Sequence, residues 1–466
     1  MSVAQVRTYR TMPQPRAIGA SNVAGAQAPA RSPTRRAFPA KNECAVDESS
    51  PASRLIERCH ALLSERGDVS GAALATEALL AYRSLEASNR DVFFDRLVAE
   101  YSSDPEDLRR WADAYSADPS PAHLIQLQRA FETPRVELFR RLNLGAGGTG
   151  ALIEMRAQCL RGLGTHPAWA VIETELARLL KSWFNHGFLE CRRIDRRTPD
   201  AVLEKLIQCE AVHQIRDRRD LLRRLEADRR CYALFHPALP NDPIIFTGLA
   251  LTVGISPNVQ PLVDPDTPVL DAARCTSAIF YSISNCQEGL RGFSFGNSLI
   301  RQVVEELGGE LRQLKTFATL SPVPGFRPWL AGGAGAGAGH RIDAELAGLL
   351  GALGEPDWFS DGARSAELER RLVPLCAHYL LRVKHGTGPA DPVARFHLSN
   401  GARLERINWL GDTSAAGMRR SAGMTANYVY RRADLERNHE AYVRDGRIRV
   451  ARQIESLARE ARPMDG

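Results

Sequence analysis

Between Pro51 and about Leu225 the apolar residues recur at helical spacing, and beyond Arg230 that spacing gives way to short β-rich runs. This change of period constrains the fold more than any other feature of the chain, because a helical pattern cannot settle as a strand, nor a strand pattern as a helix. In the first half Ile172, Leu176, Leu179, Leu180, Trp183 and Phe184 form one stripe of a helix. Asp104-Pro105-Glu106, Ser120-Pro121 and Thr198-Pro199-Asp200 place a cap, a first-turn proline or an acid where helices begin. Several such helices joined by short polar connections predict an antiparallel bundle. In the second half residues 244–253, 276–284, 315–320, 393–398 and 403–410 read as strands, and 297–312 as a helix with Leu299, Ile300, Val303, Val304 and Leu307 on one face. The expected fold class is α+β in two domains: an antiparallel helical bundle over residues 51–222, then a mixed α/β domain over 223–466.

Residues 1–50 stand apart as an Arg/Ala-rich arm. Arg7, Arg10, Arg16, Arg31, Arg35, Arg36 and Lys41 occur with no acid before Glu43, a composition that cannot build a core and predicts disorder. It also resembles a mitochondrial transit peptide. The same Ala/Arg bias runs through the whole chain, so a plain tail on a cytoplasmic protein is the expectation, with the mitochondrial matrix as the alternative. Residues 462–466 carry no peroxisomal tripeptide. Nine cysteines are scattered singly, with no CxxC pair and no zinc spacing, which favours a reducing compartment and gives no metal site. The net charge of +6, from 61 basic and 55 acidic residues, suits small anions and predicts no nucleic-acid partner. No apolar run approaches a membrane span, and no membrane partner is expected.

The most informative stretch is a strand, a turn and then Arg291-Gly292-Phe293-Ser294-Phe295-Gly296-Asn297 opening a helix. Free backbone N–H groups at the positive end of a helix dipole bind pyrophosphate well. The order resembles the pyrophosphate loop of the GNAT acetyltransferase fold, although Ser294 stands where that fold usually has glycine. Spacing alone does not separate this reading from a helix opened by a glycine turn. Two other glycine-rich runs, at 145–150 and 331–339, lack the Lys-Ser/Thr of a nucleotide loop and read as connectors. Ser321 sits between a strand end and two fixing prolines, Pro322 and Pro324, either as a hydroxyl presented to a thioester or as a capped strand end. Strand alternation over 393–398 puts Arg395, His397 and Ser399 on a polar face, where His397 is a candidate proton donor or an ordinary satisfied histidine. Tyr428 and Tyr430 either close a core or assist a site. In residues 216–230, acids alternate with arginines and predict a solvated, ion-paired helix face ahead of a phosphate or nucleic-acid site.

Five blocks in order closely resemble the malonyl-CoA decarboxylase family: CYALFHPALPNDPIIF (231–246), TSAIFYSISNCQEGLRGFSFGNSLI (276–300), TFATLSPVPGF (316–326), ARFHLSNGARLERINWL (394–410) and SAGMTANYVY (421–430). LLKSWFNHGFLECRRID (179–195) and TPDAVLEKLIQCEAVHQI (198–215) extend the resemblance into the helical half, so that it covers roughly residues 70 to 430. The resemblance implies a GNAT-like catalytic domain that converts malonyl-CoA to acetyl-CoA and carbon dioxide without a metal or organic cofactor. It implies catalytic roles for His397 and Ser321 with support from Ser282 and Tyr430, and an acyl-CoA loop at Arg291–Asn297. It also implies a homo-oligomer, tetramer or dimer, built through the helical domain. Two other expectations stand beside it: a GNAT-fold acyltransferase, which would need an amine acceptor, and a non-catalytic acyl-CoA sensor. The long glycine/alanine run after Trp329 departs from the family pattern.

Overall fold

Helix start signals are obeyed residue by residue. Among the described residues, eight α-helices precede the first strand: α1 (Pro51–Ser64), α2 (Asp68–Ser84), α3 (Ala87–Glu100), α4 (Pro105–Ala117), α5 (Pro121–Phe131), α6 (Pro134–Leu142), α7 (Gly148–Gly162) and α8 (Ala170–Trp183). The Asp104, Ser120 and Thr133 side chains accept the N–H groups of Glu106, His123 and Val136, and a proline follows each cap. The helices close on a core that includes Leu55, Phe93, Phe94, Phe139, Trp169 and Leu176. Arg135 is buried inside it, its charge met by Glu175 at 2.6 Å and by the Leu97 carbonyl at 2.8 Å. This computed structural model describes residues 49–64, 68–332 and 357–461, with positions 348, 350, 351, 353 and 354. The arm over 1–48, the glycine/alanine run over 333–339 and residues 462–466 lie outside the described residues.

The second half is built on β1 (Glu190–Ile194), α9 (Asp200–Cys209), α10 (Arg218–Arg223), β2 (Arg229–Phe235), β3 (Ile245–Thr252), α11 (Gln260–Val263), β4 (Ser277–Asn285) and α12 (Phe295–Glu310). It continues through β5 (Thr316–Thr319), β6 (Ser321–Pro322), α13 (Phe326–Ala331), α14 (Gly362–Arg382), the β7–β8 pair (Lys384–His385, Gly388–Pro389) and α15 (Pro392–Ser399). β9 (Arg403–Asn408), α16 (Ala415–Ser421), β10 (Thr425–Val429), α17 (Leu435–Asp445), β11 (Arg449–Val450) and α18 (Arg452–Glu460) complete it. One mixed sheet runs in the order β1-β2-β3-β4-β5-β10-β9-β11, with β6 also pairing β10. Among the described residues, only the β4–β5 and β9–β11 pairs are parallel. One face is covered by α12, which buries Leu299, Ile300, Val303, Val304 and Leu307 against Tyr232, Leu249 and Phe280. Truncating any one of those leucines to alanine costs about 2–5 kcal/mol. A helical N-terminal region followed by a mixed-sheet domain is thus the observed architecture.

Three local expectations are corrected. Residues 393–398 form no strand; they lie in α15, because Asp391 caps the helix and Pro392 occupies its first turn. Glu190–Ile194, inside the stretch read as helical, is the edge strand β1, antiparallel to β2 with Glu190 opposite Phe235. Residues 216–230 are a solvated, ion-paired face only as far as Arg219. Only Arg218–Arg223 is helical, and Asp220, Arg223, Arg224, Asp228, Arg229 and Arg230 are buried. Asp228 binds both Arg223 and Arg229 at 2.7 Å, so the charges from Asp220 onward are largely spent inside the protein.

Candidate active site

Ser321 stands where two strands part. β4 and β5 run parallel up to Phe280 and Thr319, and the last rung is the Leu320 N–H donating to the Phe280 carbonyl at 2.8 Å. Beyond it β4 stays with β3 as far as Asn285, whereas Ser321 and Pro322 turn to pair with Ala426 and Thr425 of β10. His397 reaches the same place from the last turn of α15. One carboxylate sets that approach. Asp391 Oδ1 accepts the N–H groups of Val393 and Ala394 at 3.0 and 2.9 Å, and its Oδ2 accepts the N–H of Gly325 at 3.1 Å. Asp391 therefore fixes both the helix that carries His397 and the loop that follows Ser321. Burial raises its pKa, against the pull of those three N–H donors and Arg395.

His397 Nε2 lies 3.0 Å from Ser321 Oγ, and its Nδ1 lies 2.8 Å from the Tyr430 hydroxyl. Ser321 Oγ donates onward to Thr319 Oγ1 at 2.9 Å. With the serine proton directed to Thr319, the consistent assignment is a proton on Nε2 and a Tyr430 O–H donated to Nδ1. The Tyr428 ring stacks on the imidazole at 4.7 Å and the Tyr430 ring meets it edge-on. His397 is only 3% exposed, and burial lowers its pKa from 6.5 to about 3. The imidazole is neutral at neutral pH. Burial also raises the Tyr430 pKa, so its hydroxyl stays protonated.

The loop over Arg291–Asn297 abuts this group. Gly292 has φ +93, a conformation that glycine adopts without strain. Gly296 sits so close to α15 that a Cβ there would lie 2.7 Å from the Phe396 ring, next to His397. Ser294 precedes α12 but its side chain caps nothing, which leaves the first N–H groups of the helix, from Phe295, Gly296 and Asn297, without a capping acceptor. Arg291, Gly292 and Ser294 are exposed, Phe293 stacks on Phe295, and the Asn297 Oδ1 is buried without a partner among the described residues. From the helical half, Arg156 holds the loop by donating to the carbonyls of Gly289 and Arg291 at 2.6 and 3.1 Å and lying over the Phe293 ring.

The structure brings Ser321, His397 and Tyr430 together and sets Arg291–Asn297 beside them. It places Ser282 elsewhere. A bulge between Gly248 and Leu249 leaves Tyr281 as the extra residue of β4, and Ser282 Oγ then donates to Glu210 at 2.6 Å, beside Ser284, which donates to the same carboxylate at 3.0 Å. Among the described residues no hydrogen bond joins Ser282 to Ser321 or His397. Sequence reasoning missed Thr319, Asp391 and Glu210. The Asp391-Pro392 pair was a readable cap signal, and Thr319 lies two residues before Ser321 on the same strand face; Glu210 gave no signal. No cluster of three or more His, Cys, Asp or Glu positioned to hold a metal occurs among the described residues.

Comparison with known proteins defines the class as a carboxy-lyase, an enzyme that removes a carboxylate as carbon dioxide. Residues 187–465 match the model of the malonyl-CoA decarboxylase C-terminal domain, and residues 101–184 that of the N-terminal domain. The chain belongs to the malonyl-CoA decarboxylase family. It is 36% identical over 410 residues to the mitochondrial malonyl-CoA decarboxylase of Anser anser anser, covering 81% of each chain. Against the mouse enzyme the figures are 35% over 410 residues, 80% of this chain and 82% of the relative. The crystal structure of malonyl-CoA decarboxylase from Rhodopseudomonas palustris superposes with a TM-score of 0.83 at 44% identity, over 87% of this chain and 99% of that one. That from Agrobacterium vitis gives 0.82 at 43%, with the same coverage.

Proposed function

We propose that Ser321, His397 and Tyr430 carry the decarboxylation of malonyl-CoA to acetyl-CoA and carbon dioxide, with the thioester tail held by Arg291–Asn297. The reaction breaks the bond between the α-carbon and the carboxylate, and the electron pair becomes the enolate of acetyl-CoA. An enzyme accelerates this by stabilising the enolate oxygen and protonating the α-carbon. Ser321, fixed where β4 and β5 part, orients the thioester oxygen or the carboxylate. His397 delivers the proton from Nε2. Burial keeps the imidazole neutral on its own, but a bound malonyl carboxylate a few ångströms away favours the imidazolium, so substrate brings in the proton its own product needs. Tyr430 holds Nδ1 and sets the ring's angle. Ser282 supports the far wall by anchoring β4 to Glu210.

The observation that carries this reading is the buried Ser321–His397–Tyr430 chain at the parting of β4 and β5. The test is release of carbon dioxide and acetyl-CoA from malonyl-CoA alone. Equal amounts of both from the wild type, lost in a folded His397→Ala variant that still binds coenzyme A, support it. Product that forms only after an amine is added would replace it with acyl transfer.

The partner expectation is carried by α4 and α5, which bury no residue and expose Leu124, Ile125 and Phe131. We read this pair as the contact of a homo-oligomer, dimer or tetramer; Phe131→Glu should lower the mass seen by light scattering. No helix among the described residues is long and apolar enough to cross a membrane. We assign the chain to the cytoplasm; recovery of a tagged protein shortened by its basic arm in a mitochondrial fraction would move it to the matrix.

A further inference from the structure

Tyr428 lies two residues before Tyr430, so alternation at the end of β10 turns both rings toward His397. The two meet it differently. Tyr430 reaches Nδ1 with its hydroxyl and presents its ring at 79°, whereas Tyr428 lays its ring nearly flat on the imidazole, with 4.7 Å between centroids and 26° between planes. The backbone holds the stack. Thr319 Oγ1 accepts the Tyr428 N–H at 3.3 Å as well as the Ser321 hydroxyl at 2.9 Å, and the Tyr430 N–H donates to the Phe317 carbonyl at 2.8 Å. Tyr428 is fully buried, and its hydroxyl has no hydrogen-bond partner among the described residues. What this tyrosine offers the site is the face of its ring.

A histidine that delivers a proton carries a positive charge for part of the cycle, and this one is enclosed by uncharged groups. Ser321 of β6 faces it with Thr319 of β5 behind, Tyr428 and Tyr430 face it from β10, and Phe396 from α15 itself. Burial, and after it Asp391, Cys376, Tyr430 and Tyr379, raise the Tyr428 pKa; burial raises that of Tyr430 against Arg301 of α12. Both phenols stay neutral. Arg395 is turned to the Pro389 carbonyl, and His439 of α17 to that of Ser399. Among the described residues no hydrogen bond or ion pair joins His397 to a carboxylate, and burial alone lowers its pKa. The negative face of the Tyr428 ring is what the protein sets against an imidazolium here. A carboxylate in that place would hold the proton firmly, whereas a π face stabilises the cation and leaves it acidic enough to protonate carbon.

We propose that Tyr428 is a positioning residue of the decarboxylation that acts through His397, its ring face steadying the imidazolium while Nε2 holds the proton for the α-carbon. This rests on His397 being the proton donor. Without the π face the imidazolium is harder to form, so the His397 pKa in the substrate complex falls. A donor works while protonated, and kcat therefore declines as the pH rises through that pKa. Loss of the face should bring this decline about one pH unit lower, a roughly tenfold loss of kcat at any pH above it. Below the decline the gap should close, whereas a weakened fold would lower kcat at every pH.

The full-length protein and its Tyr428→Phe and Tyr428→Leu variants are assayed for acetyl-CoA release at saturating malonyl-CoA, across the pH range in which each stays folded. Phenylalanine keeps the face and should keep the decline where the wild type has it; leucine should move it down by about one unit. A second series leaves the shape of the ring intact: phenylalanines bearing one, two and three ring fluorines at position 428 withdraw charge from the face stepwise, and the decline should step down with them. A decline that stays in place across the fluorinated series, or that moves as far in Tyr428→Phe as in Tyr428→Leu, overturns the proposal. His397→Ala is assayed alongside. Turnover that survives in it overturns the proton donor itself; turnover lost there, with a fixed decline in the fluorinated series, overturns only the role of the stack.

Discussion

His397→Gln should make the protein more tolerant of acid. Burial lowers the His397 pKa from 6.5 to about 3, so the unfolded chain binds a proton that the folded one refuses. Stability from this group is intact above pH 6.5 and is lost progressively as the pH falls toward 3. At pH 5.0, about 1.5 pH units below the unfolded value, the loss is about 2 kcal/mol at roughly 1.4 kcal/mol per unit. Glutamine has no titrating ring and escapes this loss. His213, His236 and His60 are also lowered by burial, but they are common to both proteins and cancel in the comparison. The assay is urea unfolding followed by tryptophan fluorescence at pH 7.5 and 5.0. The wild type should lose about 2 kcal/mol more than the variant between the two. Parallel losses would mean that the folded protein accommodates an imidazolium without substrate, and would refute the view that the malonyl carboxylate brings in the proton.

Tyr430→Phe removes the partner of His397 Nδ1 and should cut kcat by roughly 10- to 100-fold with little change in KM, measured by acetyl-CoA release. Gly296→Ala drives a methyl group into the Phe396 ring; stability should fall by about 1–3 kcal/mol and KM should rise, since the thioester loop and α15 must separate. Ser282→Ala deprives Glu210 of a buried donor and should cost about 1–3 kcal/mol of stability, with activity falling in step. A large kcat loss at unchanged stability would instead put Ser282 in contact with substrate.

Much of the fold was legible because its signals are local. The caps at Asp104 and Ser120 and the apolar face of α12 depend on residues a few positions apart. β3, β4, β5 and β9 likewise lie within one or two residues of the runs read as strands. α15 was misread because Phe396 and Leu398 alternate with polar neighbours over too short a span to separate two periods, while Asp391-Pro392 held the deciding information. The buried charges over Arg223–Arg230 were illegible for another reason: alternating signs describe a solvated helix and an interior ion-pair network equally well, and only the strand β2 distinguishes them. At the site, Ser321, His397 and Tyr430 were each readable from their neighbours with an ordinary alternative beside them, and their shared catalytic role came from the family resemblance. Their meeting depends on the chain leaving β4 after β5 so that β6 pairs with β10, a long-range choice that no local motif encodes. The bulge that turns Ser282 toward Glu210 is of the same kind.

The three bonds made by Asp391 also govern which changes of length the enzyme tolerates. The chain leaves the Ser321 loop at Gly325 and returns at Asp391, where one carboxylate pins both ends. Residues added or removed between α13 and α14 are thus closed off from the Ser321–His397 distance, and doubling the length of such a connection costs only about 0.6 kcal/mol. The glycine/alanine run falls inside that excursion. A reporter domain inserted between Gly332 and Asp357 should therefore leave turnover unchanged, measured by acetyl-CoA release.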